Sequence, residues 1–141
     1  MAAQGFTPRS IETRCSFMSL SAPGFIEQRF RSDVTINRAC FEENRLARQE
    51  LGGAGSYVML TFLPEGMDFE LAVTSTDHFE PERGSIGMRA LAVVAGDGMG
   101  EAIAKLYFGY FPTEFPARVF HDEAEARAWL AGQQTAAAKA V

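Results

Sequence analysis

Between Ile11 and Leu20 the chain alternates, with Ile11, Thr13, Cys15 and Phe17 on one side and Glu12, Arg14 and Ser16 on the other. A period of two predicts a strand with one face buried. "SAPG" supplies a turn, and "FIEQRFR" reads as a second short strand antiparallel to the first. From Thr35, read as an N-cap, the residues Ile36, Ala39, Cys40, Ala47 and Leu51 form an inner stripe and predict a helix through Leu51. Gly52 is placed to take the left-handed conformation at its end. "SYVMLTFL" is a continuous apolar run of strand length and reads as a central strand buried on both faces.

A short helix is expected over residues 68–77, then a second buried strand at "MRALAVVAG". Met99, Ile103, Leu106 and Tyr107 share one side of a helix over Met99–Tyr110. The prolines of "FPTEFP" impose an extended loop, because each disfavours helix in the residue before it. "ARVF" is a last strand and "DEAEARAWLAG" a last helix, with Asp122 and Glu125 at capping-box spacing, Ala126, Trp129 and Leu130 facing inward, and Gly132 as its stop. The order β-β-α-β-α-β-α-β-α describes a single α/β domain over residues 11–132, with a mixed sheet of about five strands opened by a hairpin, and four helices. Residues 1–10 are expected to be a flexible N-terminus, and 133–141 a flexible or frayed helical tail.

Composition narrows the function classes. A chain of 141 residues with 47% hydrophobic residues builds a core without metal or disulfides. Its net charge of −5 gives no attraction to nucleic acid or anionic lipid, and no apolar run approaches the ~20 residues that span a bilayer. "MAAQGFTPRS" lacks the apolar core of a signal peptide, which points to the cytoplasm. In that reducing setting Cys15 and Cys40 are expected as buried or half-buried thiols.

Catalytic chemistry is thin. "VVAGDGMGEAIAKL" runs a strand into Gly96, Gly98 and Gly100 at a helix N-terminus, where amide groups and the helix dipole suit a nucleotide or phosphate. It matches neither the dinucleotide fingerprint nor the P-loop, and glycine also suits a tight turn there. "TDHFEPE" gathers Asp77, His78, Glu80 and Glu82 near Ser75 without metal-ligand spacing, and reads as a solvated acidic loop. Glu42 and Glu43 read as a solvated helix face, and His121 as an exposed residue at a helix entrance. No nucleophile, base and oxyanion group assemble, so neither an enzyme nor a cofactor or metal site is expected. Tyr107, Phe108, Tyr110 and Phe111 cover more than one helix face, which suits a contact surface together with the 112–116 loop.

The stretch "ALAVVAGDGMGEAIAKLYFGYFPTEFPARVFHDEAEARAWLAG" resembles the small bacterial STAS-like (SpoIIAA-like) proteins. These close with an apolar strand, an aromatic helix, a proline-rich loop and a P-x-R-x-F run before an acidic helix ending in A-W-L. Here those positions are Pro116, Arg118, Phe120, Ala128, Trp129 and Leu130, and "GFIEQRFRSDVTINRACFEENRLARQEL" fits the family's hairpin strand, loop and first helix. The resemblance implies a STAS-like fold and a non-enzymatic regulatory or protein-interaction domain, acting as a homodimer or on a regulatory partner. His121 stands where the family often has a capping Thr, so Asp122 takes over the cap. The Asp-Ser pair of phosphorylated relatives is absent from "LPEGMDFELAVTST", and no phosphorylation site is transferred.

Overall fold

The hairpin and the alternation of strands and helices are present in the computed structural model, which describes residues 7–53, 55–78, 87–96 and 98–139. Strands β2 (Ser16–Ala22) and β3 (Phe25–Phe30) pair antiparallel, and β1 (Arg9–Glu12) lies antiparallel outside β2. The alternating N-terminal segment is therefore two strands instead of one. The chain reverses at residues 13–15, where the Thr13 N–H donates to the Ser16 carbonyl at 2.9 Å. This reversal switches which side chains of β2 face the core: Ser16 and Met18 are buried, and Phe17 faces out. Residues 9 and 10, expected to be flexible, pair with Leu20 and Ser19 as the sheet edge.

From β3 onward the sheet is parallel. β5 (Tyr57–Leu63), β7 (Met88–Ala95) and β8 (Ala117–Phe120) complete a six-stranded sheet of order β1-β2-β3-β5-β7-β8. Parallel strands are covered on both faces, which is why "SYVMLTFL" is continuously apolar. On one face Met18, Ile26, Met59, Leu91 and Val93 pack under α1 (Arg38–Gly52) and α3 (Gly98–Tyr110). On the other, Val58, Leu60, Ala90 and Ala92 pack against Ala126 and Leu130 of α4 (Glu123–Lys139).

Two short strands, β4 (Thr35–Ile36) and β6 (Asp68–Phe69), form a separate parallel pair. Thr35 is thus a strand residue, its hydroxyl donating to Asp68 at 2.7 Å, and Asn37 caps α1 by accepting from the Cys40 N–H at 3.0 Å. The helix expected over 68–77 contracts to α2 (Leu71–Thr74) behind β6. At the far end of α1 the left-handed residue is Gly53, with φ of 58°, and Gly52 is the last helical residue. Asp122 caps α4 as expected, accepting from the Glu125 N–H at 3.2 Å. Gly132 does not stop this helix, which runs on to Lys139 through good helix formers.

The reversal at residues 13–15 also brings Cys15 against the first turn of α1. Cys15 and Cys40 are joined in a disulfide, with α-carbons 5.7 Å apart, instead of remaining separate thiols. Both are buried, beside Phe30, Ile36 and Val73.

Candidate functional site: an apolar pocket beneath α3

Helix α3 is apolar but lightly packed. Of its 13 residues Ala104 alone is fully buried, and Met99, Leu106 and Tyr110 are 73%, 63% and 74% exposed. Beneath it, bounded by the sheet and α1, lies a cavity of about 180 Å³. Its walls include Met59, Leu91 and Val93 from the strands, and Ile103 and Phe108 from α3.

The floor is polar, built from the inner stripe of α1 and two strand residues. Cys40, Asn44, Ala47, Arg48 and Leu51 are the buried residues of α1, at helical spacing. Gln28 and Thr61 are register partners on β3 and β5, and the Thr61 hydroxyl donates to the Gln28 Oε1 at 3.1 Å. The network continues through Ser16, which lies 3.5 Å from the Gln28 Nε2. Ser16 and Thr13 donate to the Asn44 Oδ1 at 2.9 and 2.8 Å. Buried polar groups persist in a core when they bond one another in this way. The Asn44 Nδ2, which is buried, has no hydrogen-bond partner among the described residues.

At the rim His78 lies between aromatic rings. It stacks on Phe41 at 3.8 Å between centroids and on Tyr107 at 5.7 Å, and its Nε2 donates to the Val73 carbonyl at 2.8 Å. Burial is the main cause that pushes its pKa below the ordinary value, and the positive charges of Arg38 and Arg48 act in the same direction. The Val73 bond and Asp77 oppose the shift. Of the acidic loop read from "TDHFEPE", Glu80 and Glu82 lie outside the described residues.

The aromatic series of α3 divides between interior and exterior. Phe108 packs against the core, and Tyr107 and Phe111 are half-buried with ring centroids 5.2 Å apart. Tyr110 points outward. In the glycine-rich turn, the Gly96 N–H donates to the Leu63 carbonyl at 3.1 Å. A Cβ at Gly96 would stand 3.2 Å from the Glu65 backbone nitrogen, so close backbone approach accounts for this glycine. Gly98 and Gly100 open α3, and Glu101 in its first turn bonds Lys105 at 3.1 Å and approaches His121 at 3.5 Å. The Lys105 hydrogen bond and charge hold the Glu101 carboxyl below its usual range. His121 is exposed at the entrance to α4.

Asn44, Arg48, Gln28 and Thr61 do not stand out in the sequence by residue type. The available sign was periodicity, since positions 40, 44, 47, 48 and 51 form one helical stripe whatever their polarity.

Comparison with known proteins agrees with this architecture. No helix among the described residues is long and apolar enough to cross a membrane. Among curated protein sequences none matches the chain. A crystal structure of an uncharacterized DUF3478-family protein with a SpoIIAA-like fold, from Shewanella loihica PV-4, superposes with a TM-score of 0.53 at 14% identity, covering 88% of this chain and 92% of that one. At that identity the likeness shows the fold. The SpoIIAA-like family model matches residues 32–131, from the loop after β3 to the core of α4, and supports a regulatory or protein-interaction domain at the family level. Family match, strand order and closing helix agree: the chain belongs to the SpoIIAA-like family.

Proposed function

We propose that the protein is a non-enzymatic regulatory domain that works through protein contacts in the cytoplasm, with the outer face of α3 as the contact surface and a second copy of the chain as its partner. The observation that carries this reading is the exposure of Met99, Leu106 and Tyr110 on a helix with one fully buried residue. Large apolar side chains grouped on one exposed helix mark association surfaces, and a few such anchors supply most of the binding energy. Tyr110, among the aromatics singled out in the sequence, is the exposed anchor, and Phe108 and Tyr107 hold the helix from beneath.

Sedimentation equilibrium of the wild type and a Leu106→Asp/Tyr110→Asp variant tests this. The wild type is expected to be dimeric, and the variant monomeric with an unchanged circular dichroism spectrum. A wild type that stays monomeric at high concentration overturns the reading.

A further inference from the structure

The pocket under α3 supports an inference separate from the outer face of that helix. Its volume of about 180 Å³ is somewhat larger than the ~150 Å³ apolar cavity that accepts benzene. The helix above it is short of packing, since Ala104 is its one buried residue. Phe41, Phe69 and Phe108 contribute rings to the wall, and Met59, Met67 and Met99 contribute thioethers. Methionine side chains adapt their shape to a guest and pack well against aromatic rings. Met99, 73% exposed, stands at the mouth and leaves a way in.

The polar groups of the lining are already committed. Thr61 bonds Gln28, and the Asn44 Oδ1 accepts from Thr13 and Ser16. The His78 Nε2 bonds the Val73 carbonyl, and Arg48 and Thr74 are engaged within the chain. Gln28, Asn44, Arg48 and Thr61 are each no more than 5% exposed, so they back the pocket while presenting almost no surface to it. The lining contains no Asp or Glu among the described residues. A charged guest would lose water there and gain no counter-group, whereas an apolar one gains by leaving water. We propose that this pocket binds an uncharged hydrophobic molecule of about one ring's bulk, held by apolar contact alone.

The test is an NMR titration of the full chain at neutral pH with toluene, benzoate and benzylamine, which share one ring and differ in charge. Toluene is expected to bind at least about tenfold more tightly than either ion, with shifts centred on Met59, Leu91 and Ile103. Ile103→Trp fills the cavity and is expected to abolish toluene binding. The wild-type comparison decides alone if that variant does not fold. No shifts in toluene-saturated buffer, equal affinity for benzoate or benzylamine, or unchanged binding by a folded Ile103→Trp would each overturn the assignment. Shifts at Met59 and Ile103 that follow protein concentration and ignore toluene would give the pocket to a second copy, and would also overturn it. A monomeric wild type that binds toluene leaves this assignment standing, so it and the dimer reading fail separately.

Discussion

Tyr107 grips the backbone around His78 from the far side of the pocket. Its hydroxyl accepts the His78 N–H at 2.9 Å and donates to the Thr76 carbonyl at 2.8 Å. The rings of Tyr107 and His78 also stack. These contacts join α3 to the segment after α2, closing the pocket rim with groups some 30 residues apart in sequence. Tyr107→Phe keeps the ring against Phe108 and Phe111 but leaves the His78 amide without this acceptor. The expected cost is about 1 kcal/mol, because these bonds are only partly buried and water can take up part of what the hydroxyl supplied. Urea denaturation measures it, and amide exchange at His78 should quicken in the variant.

His78 also gives the fold a dependence on pH. Its pKa lies below the unfolded reference of 6.5, chiefly because burial disfavours the imidazolium. The unfolded chain therefore binds the proton more readily than the folded one. Stability from this group is complete above that reference value and is lost as pH falls through the lower folded pKa. Urea midpoints followed downward from neutral pH should decline in the wild type, and less steeply in His78→Gln.

The bond between Cys15 and Cys40 spans 25 residues and ties the β1–β2 reversal to the first turn of α1. By loop-closure entropy a cross-link of that span stabilises by about 3.5 kcal/mol. The Cys15→Ala/Cys40→Ala variant should lose stability of that order, measured by urea unfolding without reductant. Such bonds are rare in a reducing cytosol. Thiol trapping of the protein directly from cells therefore tests the proposed cytoplasmic setting, and a fully oxidised pair would count against it.

Where the chain's periodicity is clean, sequence and structure agree. "SYVMLTFL" and "MRALAVVAG" are β5 and β7, and the Asp122 cap with Ala126 and Leu130 fixes α4 as the pattern requires. Disagreement arises where tertiary contacts override a local signal. Thr35 is a sound N-cap by type, but pairing of β4 with β6 holds it in a strand and passes the cap to Asn37. Phe17 has the right character for a core residue, but the reversal at residues 13–15 turns it outward. The pocket was the least legible feature. Its floor is made of Asn44, Arg48, Gln28 and Thr61, polar residues whose burial depends on partners distant in sequence. The exposure of α3 was legible in part, from an aromatic series too wide for one helical face.

Two helical glycines should respond oppositely to alanine. Gly52 ends α1 against the ring of buried Tyr57, and a Cβ there would lie 2.8 Å from the ring carbons. Alanine must displace Tyr57 or the helix end, and overpacking of this kind costs about 1–3 kcal/mol. Gly132 lies within α4 at an exposed position, with nothing within 4 Å of the equivalent Cβ. There alanine removes the backbone freedom of glycine in the unfolded chain without steric penalty, and should stabilise by about 0.5–1 kcal/mol. Thermal melts of the two single variants separate the cases. Stabilisation by Gly132→Ala would show that α4 is continuous through that residue in solution, because a helix stopping there would place the glycine in a left-handed conformation that alanine resists.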